Sequence, residues 1–262
     1  MAVIDPRAIV HPSAQLGVGV EVGPWTVIGP DVHIGEGTVI HSHVVIKGPT
    51  WIGKHNRIFQ FATVGEATPD MKYQGEPTRL VMGDHNTVRE GATIHRGTVQ
   101  DRGETSIGHH NLIMSYVHIG HDCVLGDHII LINNASMAGH VKIGDWAFLS
   151  GFTMIHQHVC IGAHAFVGPA AFVNQDVPAY VMATGHPAKP RTINKVGLQR
   201  RGFTAAQVIA INRAYKALYR QGLKLEEALE RVEAIAAAGS EEKVAIEPLL
   251  ESIRTSARGI IR

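Results

Sequence analysis

The chain has 262 residues, enough to bury a sizeable core in one large domain or two modest ones. Apolar residues make up 45% and charged residues 18%, a globular composition that excludes a disordered chain. Lys plus Arg (24) nearly balances Asp plus Glu (23), so there is no basic excess of the kind a general nucleic-acid binder carries.

In chain order, the start Met1-Ala2-Val3-Ile4-Asp5-Pro6 has neither the basic region nor the apolar core of a signal peptide. From Ile4 every sixth residue is aliphatic, through Val10, Leu16, Val22, Ile28 and onward to Val64. The series returns in phase at Met82, Val88 and Ile94, then restarts out of phase at Ile107 and runs to Val173. A small or short side chain usually stands four positions later, as at Ala14, Val20, Thr26, Ala135 and Ala147. Glycine often follows the aliphatic directly, as at Gly17, Gly35, Gly53 and Gly126, and is expected there to adopt turn conformations. An α-helix cannot use a strict period of six, because about 3.6 residues per turn would smear the apolar stripe around its surface. Short strands joined by tight turns can, and hexapeptide periodicity signals a β-helix.

Two interruptions break the repeat. The step from Val64 to Met82 is 18 residues where six suffice, which predicts a loop over 68–79. The step from Ile94 to Ile107 is 13, leaving extra residues near Gln100–Ser106. A polar loop in a solenoid is either a binding face or a tolerated surface insertion, and the sequence leaves both open. The repeat ends near Pro178, and Thr184–Pro190 reads as a linker, dividing a β-helix (1–190) from a helical domain (191–262). Thr204-Ala205-Ala206-Gln207 is a capping box whose helix stops at Gly222, and a second helix is expected over Leu225–Ala238. A last short helix is expected to start at Pro248, which suits a first-turn position. No apolar run approaches the roughly 20 residues of a membrane span. Cys123 and Cys160, without a CxxC pair, supply no disulfide or zinc framework, which points to a reducing cytoplasm.

Three hexads per coil place residues 18 apart in adjacent coils, roughly 4.8 Å from each other. In the uninterrupted region this register gathers His118, His121, Asp122, His140, His156, Gln157 and His158 along one edge, with Gly139 stacked on His121. Such a cluster suits a general base with helpers, a metal site, or polar corner residues facing water. Histidine titrates near neutrality, as a base for a hydroxyl proton must, and Asp122 is placed to orient His121. Cys123 occupies an inward corner slot and is a poor nucleophile.

Together, Ile94-His95-Arg96-Gly97-Thr98, His118-Ile119-Gly120-His121-Asp122-Cys123, Ala138-Gly139-His140-Val141, Ile155-His156-Gln157 and Arg200-Arg201-Gly202-Phe203 closely resemble the UDP-N-acetylglucosamine acyltransferase family of lipid A biosynthesis. The similarity spans essentially the whole chain, including Asp70-Met71-Lys72-Tyr73 and the ending Arg258-Gly259-Ile260-Ile261-Arg262. It implies a left-handed parallel β-helix followed by a small helical domain. It also implies transfer of an (R)-3-hydroxyacyl chain from acyl carrier protein to the 3-hydroxyl of UDP-N-acetylglucosamine. The donor would be the carrier's phosphopantetheine thioester, with no metal or other cofactor, and the enzyme a homotrimer with active sites between subunits. By the same resemblance His121 would be the general base, Asp122 its orienting partner, and the Gly139 N–H the oxyanion donor. His118, His140, His156 and Gln157 would line the sugar and acyl sites, and Asp70 and Lys72 would contact the sugar nucleotide. Asn194, Arg200 and Arg201 match positions that hold the nucleotide and phosphates, while Pro169 matches one that helps set acyl length. Pro69 and Val196 depart from the polar residues relatives can carry. The competing readings are the paralogous N-acyltransferase, a metal-dependent carbonic anhydrase of the same fold using three histidines, and a non-catalytic scaffold. The Ile94–Thr98 segment and the tail with Arg200-Arg201 favour the O-acyltransferase.

Overall fold

The computed structural model describes residues 1–262. The β-helix expected from the period of six is the fold: a left-handed parallel coil of short strands, mostly two residues long, in three sheets of 11, 9 and 8 strands. From Val22 onward the aliphatic of each hexad points inward and is buried, as with Ile113, Ile119 and Leu131, all 0% exposed, while Ile4, Val10 and Leu16 of the first coil are only partly covered or exposed. Coils repeat at 18 residues, Leu112 pairing with Ile130 and Ile130 with Phe148. Across the first interruption the partners are Arg57 and Thr87, and across the second Thr87 and Leu112, so the inserted loops leave the sheet unbroken.

The corners correct one expectation. Gly17, Gly35 and Gly53 do not take left-handed conformations. A β-carbon on Gly35 would lie 2.6 Å from the carbonyl carbon of Gly53, so these glycines are required by the close approach of adjacent coils. The left-handed position comes three residues after the aliphatic, and it is filled by 18 non-glycine residues, eight of them histidine. Asn, Asp and His enter that region most readily among side-chain-bearing residues, at roughly 1 kcal/mol each. Stacking between coils offsets part of this: His85 on His110 at 4.8 Å, His110 on His128 at 4.9 Å, His128 on Trp146 at 3.9 Å.

Buried amides carry the coils past the insertions. Asn86 donates to the carbonyls of Gly83 and Gly108 and accepts the Asn111 N–H, while Asn56 accepts the Asn86 N–H. The inserted residues lie where expected, with boundaries shifted. Arg79–Met82 and Glu104–Ile107 form paired strands, so Arg79 and residues 104–106 belong to the sheet and not to loops. The extra residues of the second insertion therefore fall within 96–103.

The segment read as a linker is an antiparallel hairpin, Val181–Thr184 with Lys189–Ile193, which closes the top of one sheet. Four helices follow: α1 (Lys195–Arg200), α2 (Ala205–Tyr219), α3 (Leu225–Ala236) and α4 (Ser240–Arg254). The capping box of α2 is present, with Thr204 and Gln207 exchanging hydrogen bonds. Pro248 lies inside α4 and does not start it. The carbonyl it leaves without a helical donor belongs to Val244, which is 71% exposed and open to water. The tail returns to the last coil, where Asp176 accepts from Ser256 Oγ at 2.6 Å and exchanges backbone bonds with Gly259 and Ile261. No helix is long and apolar enough to cross a membrane.

Because each coil contributes one inward aliphatic per side, Ile113→Ala should destabilise by about 2–5 kcal/mol, while Ile9→Ala, already 67% exposed, should cost under about 0.5 kcal/mol. Urea unfolding of the two variants measures the difference; equal costs would mean that inward packing does not hold the coil.

Candidate active site

The corner between Ile119 and Val124 carries the cluster. Asp122, His140 and His158 occupy the left-handed slot on three successive coils, with φ of 59°, 63° and 61°. This geometry turns each side chain along the edge and stacks the imidazole of His140 on that of His158 at 4.2 Å. His121 precedes Asp122 and meets it directly: Nδ1 lies 2.8 Å from Asp122 Oδ2. Asp122 is 1% exposed, which alone would raise its pKa, but hydrogen bonds from His121 and Thr98 outweigh burial and hold the carboxyl below its usual range. It is therefore ionised at neutral pH, and with one carboxylate oxygen on Nδ1 the neutral His121 carries its proton there, leaving Nε2 to accept.

Gly139 sits on the next coil, against that ring. A β-carbon there would lie 2.5 Å from His121 Nε2, so any side chain would have to push the ring out of this position. Its N–H is buried and meets no acceptor within the chain. A free donor beside a free base is the arrangement that acyl transfer requires.

The remaining histidines are arranged around this pair. His118 Nδ1 is 2.8 Å from Thr93 Oγ1, and its ring meets His95 edge-on at 5.1 Å. Burial lowers the pKa of His118, and burial with the neighbouring His118 lowers His95 to about 4. Both are therefore neutral at neutral pH. His140 Nδ1 lies 2.8 Å from Asp101 Oδ2, and its ring meets His121 edge-on at 4.9 Å. His156 is half-buried on the coil above and Gln157 is exposed beside it. His121, Asp122 and His140 present ligand atoms within 4.8 Å of one another. The oxygens of Asp122, however, are already engaged by the Thr98 N–H, Thr98 Oγ1 and His121, a donor set suited to proton transfer more than to holding a cation.

The structure divides the other expected residues between this edge and the two others. Asp70 and Lys72 lie on the long loop, which leaves the sheet after Glu66 at the same corner as His121; there the Asp70 carboxylate accepts the Lys72 N–H at 2.9 Å and Lys72 is exposed. Asn194 caps α1, accepting from the Gly197 N–H and donating to the His164 carbonyl, so both ends of its amide are occupied. Arg201 stacks over Trp146 at 5.1 Å and approaches His164 Nδ1, on a different corner, while Arg200 is exposed at the end of α1. Pro169 adjoins Ala170, whose N–H bonds to Gly151 on the edge carrying Phe152. Within one chain Asn194, Arg201 and Pro169 do not converge on His121.

Sequence reasoning missed Thr98, Asp101 and Thr105. Thr98 clamps the Asp122 carboxylate, Thr105 Oγ1 accepts the Asp122 N–H at 2.8 Å, and Asp101 holds His140. They lie in or beside the second insertion, where the 18-residue register that located the histidines does not apply. It missed Arg96 as well, whose buried guanidinium donates to the carbonyls of Gly48 and Gly65 and to Tyr73 Oη, tying the long loop to the coil.

Comparison with known proteins agrees with this geometry. The family description "Udp N-acetylglucosamine O-acyltransferase; Domain 2" matches residues 176–261, and "Bacterial transferase hexapeptide (six repeats)" matches residues 13–48. Curated relatives from Azotobacter vinelandii and Stutzerimonas stutzeri, both named acyl-(acyl-carrier-protein)-UDP-N-acetylglucosamine O-acyltransferase, are 63% and 61% identical over 262 residues, covering 100% of this chain and of each relative. The solved UDP-N-acetylglucosamine acyltransferase of Francisella novicida superposes with a TM-score of 0.95 at 46% identity, covering 99% of this chain and 94% of that one. With such identity along the full length of both chains, this chain belongs to the acyl-(acyl-carrier-protein)-UDP-N-acetylglucosamine O-acyltransferase family.

Proposed function

We propose that the chain transfers an (R)-3-hydroxyacyl group from acyl carrier protein to the 3-hydroxyl of UDP-N-acetylglucosamine, the first step of lipid A biosynthesis, in the cytoplasm. The observation that carries the mechanism is the His121–Asp122 pair with Nε2 free against the unpartnered Gly139 N–H. Nε2 takes the proton of the sugar 3-hydroxyl as its oxygen attacks the thioester carbonyl. The tetrahedral oxyanion is met by the Gly139 N–H, and Asp122 balances the imidazolium. Collapse breaks the C–S bond, and the phosphopantetheine thiolate takes the proton back from His121, leaving the O-acyl ester and the free thiol. The carrier's arm is thus substrate, and the chemistry needs no metal or further cofactor.

His118, His140, His156 and Gln157 surround the pair and would position the sugar and the acyl chain. Asp70, Lys72, Asn194, Arg200 and Arg201 would hold the nucleotide, and Pro169 would limit acyl length. These residues lie on three different edges of one coil, which supports a homotrimer whose sites form between subunits. The exposed Phe61, Tyr116 and Phe152, each more than 60% accessible on one corner, supply an apolar face for such contacts. Two free cysteines, Cys123 buried and Cys160 partly so, suit a reducing compartment.

Incubating the protein with UDP-N-acetylglucosamine and a series of (R)-3-hydroxyacyl carrier proteins, with mass analysis of the product, tests the reaction directly. His121→Ala should lower kcat at least about a hundredfold with the fold intact by circular dichroism; retention of more than roughly a tenth of wild-type kcat would remove His121 as the base.

Arg200→Ala should raise KM for the sugar nucleotide with little change in kcat, because it removes contacts made equally in ground and transition states. Arg201→Ala should do the same and also lose packing on Trp146. A fall in kcat with KM unchanged would instead put these arginines in the chemical step.

Proline at 169 is bulkier and stiffer than glycine, so the wild type should prefer chains of about 10 to 12 carbons over about 14, and Pro169→Gly should gain on the longer ones. Steady-state kcat/KM across the series decides; a wild type already best with the longest chain would leave Pro169 without that role.

A further inference from the structure

We propose that Asp101 is a positioning residue that reserves the Asp122 carboxylate for His121 by holding His140 away from it; the inference rests on His121 being the base.

Two imidazoles and two carboxylates meet at this corner. His121 Nδ1 lies 2.8 Å from Asp122 Oδ2, and His140 Nδ1 lies 2.8 Å from Asp101 Oδ2. The second separation matters because His140 Nδ1 is also 3.9 Å from Asp122 Oδ2, the same oxygen that His121 uses. A shift of about 1 Å, within the reach of a side-chain torsion, would bring His140 into hydrogen-bond range of it. That oxygen already accepts Thr98 Oγ1 at 2.6 Å and the Thr98 N–H at 3.1 Å besides His121. A fourth donor has no lone pair left to use, so it would displace one of the three. The Thr98 bonds lie within a buried turn, whereas His121 is 18% exposed and can rotate away. His121 is the partner that would yield.

Asp101 prevents this from a defined place. It sits on the second insertion, three residues after Thr98, and its N–H donates to the Thr98 carbonyl at 3.3 Å, as does the Gly103 N–H at 2.9 Å. One loop thus clamps Asp122 through Thr98 and draws His140 outward through Asp101. The stacking of His158 on the far face of the His140 ring keeps that ring in plane while its Nδ1 is shared out. With Nδ1–H donated to Asp101, a neutral His140 is held in one tautomer with Nε2 as its acceptor.

The test uses Asp101→Ala and Asp101→Asn in the full chain, beside His121→Ala. Alanine removes the acceptor; asparagine keeps a carbonyl that can accept from Nδ1–H. Asp101→Ala should lower kcat about tenfold, the scale of losing an outer partner that orients a functional imidazole, with KM for the sugar nucleotide moving less than about threefold. Asp101→Asn should keep at least about half of the activity. The crystal structure of Asp101→Ala should place His140 Nδ1 within hydrogen-bond distance of Asp122. Unchanged kcat in the alanine variant overturns the proposal, as does a rise in KM alone, an equal loss in both variants, or a His140 that stays in place. If His121→Ala is inactive while Asp101→Ala is unaffected, only this inference falls; if His121→Ala remains active, the reading of the base falls first.

Discussion

The spacing between coils governs this molecule. Parallel strands in successive coils lie about 4.8 Å apart, so each corner must turn without lifting one coil from the next. A glycine after the inward aliphatic lets the backbones approach, and a left-handed residue two positions later completes the turn. The second demand selects side chains that tolerate positive φ, and His, Asn and Asp lead that group. Eight of 17 histidines stand in these slots, so the richness in histidine is first a property of the fold. Most of them, such as the exposed ladder His55, His85 and His110, do no more than stack. The active corner is that same slot with one addition: a buried carboxylate in place of one ring.

That addition needed the second insertion. A carboxylate at 1% exposure must be satisfied, and the regular corner offers it only His121. Residues 96–103 leave the coil and bring Thr98 over Asp122, while Thr105, where the chain rejoins the sheet, fixes its backbone. The asparagine stack on another corner keeps adjacent coils in register while the insertion departs and returns. Stability and chemistry are thus distributed between corners: amides on one preserve the repeat so that a loop on another can be specialised.

Much of this was legible in the sequence because a period of six has few structural solutions. The inward aliphatics, the 18-residue register and the gathering of His118, His121, Asp122, Gly139, His140, His156 and Gln157 all follow from counting. Where the count fails, so does the reading. Thr98 and Asp101 lie in an insertion, and no period relates them to Asp122 or His140. The hairpin Val181–Thr184 with Lys189–Ile193 was hidden by Gly185, Pro187 and Pro190, which mark a linker as readily as a strand at a sheet edge. Pro248 misled because a first-turn proline and an interior proline with a water-exposed carbonyl look the same in one dimension. The separation of Asn194, Arg201 and Pro169 from the histidine edge was invisible as well, since a motif carries no information on which corner it occupies.

The arrangement also sets His121 apart from the other imidazoles of the cleft as the proposed base. A cation forming near other imidazoles is stabilised only if those imidazoles remain neutral and a carboxylate lies closer than they do. Burial keeps His95 and His118 neutral, His95 down at about 4, so neither would add a repelling charge in the proposed proton transfer to His121. His140 has its own carboxylate in Asp101 at 2.8 Å and stands farther, at 3.9 Å, from Asp122. His121 alone combines a buried, ionised partner at 2.8 Å with an Nε2 that faces a glycine and a free N–H. A carboxylate partner, an open ring nitrogen and a free N–H coincide at that one ring, and glycine at 139 leaves the ring room to lie against the next coil, as the proposed reaction needs.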